Sequence, residues 1–176
     1  MYSYLNLQTN KKEFYKIEHG FTIELSIPPV TTKISLYDCF EETFKDDILK
    51  QENAWFDEKE NIKKDVIKKT SICYLPDILS IHLKRWNYML QKNNKMVEIP
   101  GVLDLKPFMI PEYKDQTKYE LFALINHSGV INGGHYTSYI RRNNRWFLMD
   151  DMQVSEVDET TINQSKNYCL FYRKIK

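Results

Sequence analysis

The sequence predicts an α+β fold in which a helix accompanies an antiparallel β-sheet, and two observations support this. The last third of the chain is a series of short apolar and aromatic segments, separated by turns rich in glycine and asparagine. Nearer the start, one segment repeats its apolar residues every four positions, which is the spacing of a helix. Runs of strands joined by tight turns, with a helix set apart from them, are typical of α+β domains.

The first regular elements are a strand and the helix. Residues 21–27 carry an apolar side chain at every odd position, which is typical of a half-buried strand, and the two prolines that follow end it. Ser35 begins the helix as its N-cap, and Asp38 completes a capping box. The apolar stripe of this helix consists of Leu36, Phe40, Phe44 and Ile48. We therefore expect the helix to continue beyond Lys45.

The remaining elements are predicted to be strands. Pro76 precedes residues 78–86, a segment whose apolar side chains alternate and so lie on one side of a strand. Residues 61–69 are either a solvent-facing loop or another strand, and residues 91–95 are predicted to be a polar loop tip. Further strands are predicted at residues 102–105, 120–126, 135–142, 145–151 and 168–173.

Composition and charge exclude several classes of protein. Lys and Arg number 25 against 24 Asp and Glu, a net charge of +1, so we expect neither nucleic acid nor a membrane as partner. The three cysteines, Cys39, Cys73 and Cys169, form no CxxC pair, which favours a reducing compartment, the cytoplasm or nucleus. We find no secretory signal and no apolar stretch of the roughly 20 residues that a membrane helix needs.

The most informative residue for chemistry is His135, which two glycines immediately precede. Glycine permits close backbone approach, and a histidine in such a place is a candidate general base. Asn143 and Asn144 have the form of a two-residue hairpin turn, because asparagine tolerates the left-handed conformation. That turn makes His135 and Asp150 diagonal neighbours on one face of the sheet, roughly 7–8 Å apart at the backbone. Asp151 then points to the opposite face.

This geometry leaves two interpretations open. A carboxylate that holds one imidazole nitrogen while the other activates a nucleophile is the arrangement of Cys–His or Ser–His catalysis. A histidine and an aspartate diagonal on a hairpin also form ordinary surface pairs. A turn one residue longer or shorter would put the two side chains on opposite faces.

Several motifs resemble a known family. The segments 133–139 (GGHYTSY), 146–147 (WF), 150–151 (DD) and 168–172 (YCLFY) together look like the histidine box of the ubiquitin-specific proteases. Residues 81–86 (IHLKRW) resemble that family's strand motif. Residues 36–40 (LYDCF), followed by residues 53–56 (NAWF), resemble its helix and finger entry. The resemblance extends over about residues 21–173, in the family's order.

The resemblance implies a fold and a set of partners. The family folds like a right hand of palm, thumb and fingers, and residues 1–176 would be the fingers and palm, the C-terminal part of one such domain. The expected partners are ubiquitin or ubiquitinated proteins, together with the N-terminal half of the domain. In this family His135 would be the general base, Asp150 its orienting partner and Asp151 an auxiliary residue.

The resemblance also implies where the ubiquitin tail would lie. Residues 128–134 match a loop that overlies the tail, and residues 88–95 fall where a second such loop lies. The tail-binding residues would be Ser128, Gly129, Gly133, Gly134, Tyr136 and Tyr88. A channel lined by glycines suits a Gly-Gly tail, because larger side chains would be excluded.

The chain departs from the family in two respects. The family's nucleophile lies in a G-N-T-C segment that opens a helix, and no such segment is present. We interpret all three cysteines as structural and expect this chain to be inactive alone, either as part of a longer or split domain or through natural loss. Many relatives hold the fingers with zinc on two CxxC pairs, but Asp57 and Glu60 stand where the second pair would be. We therefore expect no metal and no cofactor.

Three hypotheses follow. The chain is part of a deubiquitinating thiol protease that cleaves after the C-terminal glycine of ubiquitin. Alternatively, it is an inactive pseudo-protease that binds ubiquitin or serves as a scaffold. The third, an unrelated papain-like Cys–His protein, does not account for the order of the motifs.

Overall fold

The chain folds into short strands and a single helix, as seen in a computed structural model that describes residues 1–30 and 33–176. In chain order the elements are β1 (Tyr2–Asn6), β2 (Lys12–Lys16), β3 (Ile23–Ser26), β4 (Ile34–Ser35), α1 (Leu36–Phe44), β5 (Asp47–Leu49), β6 (Trp55–Asp57), β7 (Ile62–Lys64), β8 (Val66–Thr70), β9 (Ile78–Lys84), β10 (Val97–Glu98), β11 (Val102–Asp104), β12 (Lys118–Val130), β13 (Gly133–Arg142), β14 (Arg145–Asp150), β15 (Gln153–Val157) and β16 (Asn167–Lys174). Short 3₁₀ turns lie at Gln51–Asn53, Lys106–Phe108 and Glu159–Thr161.

These elements belong to two units, each assembled from three segments of the chain. The smaller unit consists of Met1–Gly20, Phe44–Tyr74 and Phe108–Tyr113. The larger unit consists of Phe21–Thr43, Leu75–Pro107 and Lys114–Lys176. The β-sheets fall within one unit or the other, so each unit is described by itself.

The smaller unit is built on a four-stranded antiparallel sheet in the order β2-β1-β8-β5, with β6 and β7 forming a separate hairpin. Its apolar packing is aromatic. The ring of Tyr4 stacks on those of Phe14 and Trp55, with centroids 5.9 and 5.1 Å apart. Val66 is fully buried. A large aromatic area lets a unit of this size bury apolar surface with few residues.

The larger unit is built on an eight-stranded sheet in the order β15-β14-β13-β12-β16-β9-β3, with β11 also paired to β12. Neighbouring strands are antiparallel except β3, which runs parallel to β9. The core is formed by apolar residues of the central strands that are at most 3% exposed: Leu79, Ile81, Leu83, Leu121, Leu124, Leu170 and Tyr172. The central strands thus form a rigid support for β13 and β14, which carry His135 and Asp150.

Helix α1 begins as its sequence predicts. The Oδ2 atom of Asp38 accepts a hydrogen bond from the backbone N–H of Ser35 at 2.7 Å, and the N–H of Asp38 donates to Oγ of Ser35 at 3.2 Å. These reciprocal bonds are a capping box and satisfy two backbone donors that the first helical turn leaves free. The predicted N-cap is confirmed.

The predicted end of this helix is wrong. The helix stops at Phe44, and Ile48 lies in β5 with 61% of its surface exposed. Asp46 and Asp47 lie two and three residues beyond the last helical residue, near the negative end of the helix dipole, which disfavours carboxylates. The pairing of β5 with β8 gives this stretch an alternative set of backbone hydrogen bonds.

Other strand predictions are confirmed or corrected in detail. Residues 61–69 form β7 and most of β8, so the strand interpretation is right. The strand predicted at 21–27 is limited to β3, because β9 ends at Lys84 and offers Ile27 no partner. The strand β15 was not predicted, since its side chains are mostly exposed and its apolar pattern is weak.

Residues 91–95 form a polar loop as predicted, but they are not its tip. The guanidinium of Arg85, only 1% exposed, donates to the backbone carbonyls of Asn93 at 2.9 Å and Lys95 at 2.8 Å. This draws the stretch inward. The tip is the preceding turn, at residues 87–91, where Tyr88 is 88% exposed.

Candidate active site

The hairpin of β13 and β14 has the register that its turn predicts. Asn143 and Asn144 adopt φ values of 50° and 59°, the left-handed pair that a two-residue turn of this kind requires. Arg142 consequently faces Arg145, and the pairing continues in the predicted register as far as Ser138 and Met149. The register prediction is confirmed, so His135 lies on the same face as the end of β14.

His135 and Asp150 are in direct contact. The imidazole Nε2 of His135 donates to Oδ1 of Asp150 at 2.5 Å. Their side chains are 51% and 45% exposed, so the pair is open to a reacting group from outside. The second ring nitrogen, Nδ1, makes no hydrogen bond to the residues that the structure describes and is available as a base.

The charge of Asp150 changes the acidity of the histidine. Its hydrogen bond, and then its negative charge, raise the pKa of His135 above the ordinary value for histidine, and Asp151 adds to the effect. The cause is stabilisation of the imidazolium by nearby carboxylates. A histidine with a raised pKa holds its proton more firmly. This suits a catalytic thiol, because the protonated histidine beside it favours the ionised thiolate.

Asp151 does not point away from the site, which corrects the sequence prediction. Its φ of 49° begins the turn into β15, so the alternation of strand side chains ends at Asp150. As a result, a carboxylate oxygen of Asp151 lies within 4.8 Å of ligand atoms of His135 and Asp150. These three groups have the spacing of a metal site, but the bond between His135 and Asp150 already satisfies Nε2.

The loop predicted at residues 128–134 is a tight hairpin instead. β12 continues to Val130 and β13 begins at Gly133, which leaves two residues in the turn. Gly129 has a φ of 102°, and a Cβ there would lie 2.6 Å from the carbonyl oxygen of Gly133. The strands approach so closely at Gly129 that only glycine fits.

The other predicted tail-binding residues lie on two segments. Ser128 and Gly134 are on the hairpin, where Ser128 faces His135 across the ladder and Tyr136 is 57% exposed. Tyr88 lies in the turn at residues 87–91, which is held by Asn87: its Oδ1 accepts from the N–H groups of Met89 and Gln91.

Sequence reasoning missed two residues beside the candidate base. His127 is only 4% exposed, and Lys92 donates to its ring. A Cβ at Gly134 would fall against this ring, so the glycine before His135 is required by His127. No pattern near Lys92 signals this contact, because the two residues are 35 positions apart.

None of the cysteines resembles a catalytic nucleophile. Cys39 is fully buried in α1, and burial raises the pKa of its thiol to about 12. Burial also raises the pKa of Cys169. A thiol must ionise to attack a carbonyl, so burial disfavours both cysteines as nucleophiles. Cys73, half-buried, is free of any disulfide.

In the smaller unit, carboxylates surround a lysine. The Nζ atom of Lys64 lies 2.8 Å from Asp57, 3.0 Å from Glu60 and 3.1 Å from Glu13, and the lysine side chain is 11% exposed. The pKa of Asp57 is lowered, chiefly by its hydrogen bond from Lys64. A zinc ion does not fit this donor set, because an ammonium already occupies its centre and thiolates are lacking.

The helix of the chain is too short and too polar to span a membrane, and the described residues contain no other α-helix that could.

Comparison with known proteins identifies the family. The family model described as ubiquitin carboxyl-terminal hydrolase matches residues 1–172. The chain belongs to this family, the ubiquitin-specific proteases. The recognition of its motifs is thereby confirmed, and an unrelated papain-like protein is excluded.

Individual relatives support the assignment. The chain is 37% identical over 149 residues to ubiquitin carboxyl-terminal hydrolase 10 of Arabidopsis thaliana and 34% identical over 162 residues to ubiquitin carboxyl-terminal hydrolase 5 of the same plant. These matches cover 81% and 85% of the chain but only 16% and 18% of the relatives. The chain therefore spans less than a fifth of the length of these ubiquitin-specific proteases.

Solved structures support the fold. A chain of the SAGA DUB module of Ubp8, Sgf11, Sus1 and Sgf73 bound to monoubiquitin matches with a TM-score of 0.84 at 26% identity, and the same module bound to ubiquitin aldehyde matches with 0.85 at 25%. Each match covers 99% of this chain and 40% of the other. The predicted α+β fold of ubiquitin-specific protease palm and fingers is confirmed.

Proposed function

We propose that the chain is the part of a deubiquitinating thiol protease that supplies the general base, His135, and its orienting residue, Asp150. The enzyme would cleave after the C-terminal glycine of ubiquitin. The observation that carries this proposal is the 2.5 Å hydrogen bond between Nε2 of His135 and Asp150, on an exposed face and with Nδ1 free. Membership of the ubiquitin-specific proteases supports it.

The geometry supports a role for each group in this proposed reaction. Asp150 fixes the tautomer, because its bond to Nε2 keeps a proton there and leaves Nδ1 as the base. Nδ1 takes the proton of a cysteine thiol, and the thiolate attacks the carbonyl carbon of the terminal glycine. The imidazolium then gives its proton to the leaving amine, and a water activated by His135 releases the acyl group.

The thiol must come from outside this chain. Burial raises the pKa of both Cys39 and Cys169, and Cys73 has no hydrogen bond to a base in the described residues. We therefore propose an N-terminal half of the domain as a partner. The chain covers only 40% of the matched SAGA chains, which leaves room for such a half.

Ubiquitin is the proposed substrate, and the glycines that precede His135 support this proposal. Gly133 and Gly134 precede His135, and a tail that ends in two glycines has no side chains to clash with a narrow slot. The matched SAGA modules are bound to monoubiquitin and to ubiquitin aldehyde. By the same reasoning, Ser128, Gly129, Tyr136 and Tyr88 would line the slot.

The test is reconstitution with the half that carries the cysteine. Joined to that half, the chain should hydrolyse a fluorogenic ubiquitin amide. His135→Ala should abolish hydrolysis, by about 10⁴-fold or more, while ubiquitin binding is retained. His19→Ala, which removes an exposed histidine of the smaller unit, is the matched control and should be silent. Full activity in the His135→Ala protein would refute the proposal.

A second candidate function rests on the missing nucleophile. A pseudo-protease that binds ubiquitin without cleaving it would need no cysteine beside His135. The discriminating observation is the coding sequence upstream of Met1, because a G-N-T-C segment there supports the enzyme and its absence supports the binding module. Titration of the chain with ubiquitin, followed by backbone chemical shifts, tests binding in either case.

We also propose that the protein resides in the cytoplasm or nucleus. The support is its three free cysteines, none of them paired.

A further inference from the structure

A lysine ties the turn at residues 87–91 to the strand beside the candidate base. The Nζ atom of Lys92 donates to Nδ1 of His127 at 2.9 Å and to its backbone carbonyl at 2.5 Å. The same ammonium lies 5.7 Å from the ring centroid of Trp86, on the other side of the turn. Trp86 and Lys92 also form an antiparallel bridge. One ammonium therefore holds both ends of the turn and the end of β12.

The ring of His127 in turn supports the backbone next to His135. His127 faces Tyr136 in the ladder, and their rings lie 4.7 Å apart. A Cβ at Gly134 would collide with Nε2 of His127 and with the carbonyl oxygen of Ser128. The ring thus fills the space above Gly134, and β13 rests against it one residue before His135.

The contact with Lys92 fixes the protonation state of the His127 ring. An ammonium has only donors, so Nδ1 of His127 must be an unprotonated acceptor and the hydrogen must be on Nε2. Burial, and then the charge of Lys92, lower the pKa of His127, in agreement with a neutral ring. A buried neutral histidine that accepts from a lysine is a structural support and not a second base.

We propose that Lys92 and His127 are a positioning pair for the reaction. Lys92 locks the turn that carries Tyr88 to the end of β12, and the His127 ring that it orients sets the position of Gly134 and hence of His135. For its effect on catalysis, this inference rests on the proposed function. Its structural part, the locking of two segments, does not.

Lys92→Met tests the pair, because methionine keeps the apolar stem and removes the ammonium. The matched control is Lys95→Met, which removes an ammonium that donates to the carbonyl of Val30 and does not contact His127. Amide hydrogen exchange in the complete protein should accelerate about tenfold or more at residues 87–91 and 133–136 in Lys92→Met, with β9 and β16 unchanged. Lys92→Arg retains donors and should exchange more slowly than Lys92→Met.

Kinetics give the second readout. The kcat for a ubiquitin amide should fall by about 10- to 100-fold in Lys92→Met, while the Kd for ubiquitin changes by no more than about threefold. Unchanged exchange in both segments, or equal changes in the Lys95→Met control, would overturn the positioning role. If the wild-type protein does not cleave ubiquitin, the proposed function fails, and the exchange comparison still decides this inference. Should Lys92→Met fail to fold, Lys92→Arg against Lys95→Met decides it.

Discussion

The substitution Gly134→Ala adds a single methyl group beside the candidate base, at a point where two strands meet closely. The added Cβ would lie 2.7 Å from the carbonyl oxygen of Ser128 and closer still to Nε2 of His127. Ordinary contact begins near 3.4 Å, so the neighbours must move by at least about 0.7 Å. We expect a loss of about 1–3 kcal/mol in the free energy of unfolding, the usual cost of overpacking.

The functional effect should be larger than the loss of stability suggests. The displaced backbone carries His135, whereas Asp150 lies on the neighbouring strand and is not pushed by the methyl group. Because a misplacement of about 1 Å costs about 100-fold in rate, kcat for a ubiquitin amide should fall by about 10- to 100-fold. The assays are urea unfolding and steady-state kinetics of the complete protein.

Gly133→Ala is the matched control, one residue away. No atom lies within 4 Å of a Cβ built on Gly133, and its φ is outside the left-handed region. Alanine should therefore be neutral there or stabilise the fold by up to about 1 kcal/mol, by restricting the unfolded chain. Equal losses in the free energy of unfolding of the two variants, or full activity in Gly134→Ala, would refute the reasoning about His127 and the strand spacing.

Three further predictions concern charge and capping. Asp150→Asn should lower the pKa of His135, seen in an NMR titration of its ring; an unchanged midpoint would contradict the pairing. Since the pKa of His135 is raised in the folded wild-type protein, the pair stabilises the fold at pH values below the pKa of the unfolded-state histidine. This stabilisation is lost as the pH rises through the pKa of His135 in the folded state. Ser35→Ala should cost about 1 kcal/mol in urea unfolding through loss of the N-cap, and no change would argue against the capping box. Lys64→Met should raise the pKa of Asp57, because the hydrogen bond from Lys64 lowers it. The lowered pKa of Asp57 contributes stability that is lost as the pH falls through that pKa. Acid unfolding should therefore begin at higher pH in the variant. Lys63→Met, whose ammonium donates to an exposed backbone carbonyl, should leave the acid transition in place, and the same shift in both variants would be evidence against the carboxylate cluster.

The geometry of the candidate site was predictable where it depends on one short stretch of chain. The two asparagines at 143 and 144 determine the turn, the turn determines the register, and the register puts His135 and Asp150 on one face. Each step uses local backbone preferences that hold in any context. The capping box at Ser35 was predictable for the same reason.

The prediction for Asp151 failed because strand alternation was extended one residue too far. A strand places successive side chains on opposite faces only while the backbone stays extended, and Asp151 has left-handed φ. The helix end failed for a similar reason: the four-residue spacing continued to Ile48 after the helix itself had ended. In both cases the spacing of side chains continued along the sequence after the backbone conformation that it predicts had ended.

His135 is held by two kinds of contact that differ in sequence distance. Its bond to Asp150 joins residues 15 positions apart on one hairpin, whereas the contact of Lys92 with His127 joins residues 35 apart on different strands and turns. The bond between His135 and Asp150 lies within the histidine motif, so any chain that has the motif and its turn can form it. The second requires the turn at residues 87–91 to be folded against β12. A histidine box without Lys92 would thus keep the hydrogen bond from His135 to Asp150 but lose the lysine that orients the His127 ring against Gly134. Residues far from the motif would therefore help to determine how well the base is placed.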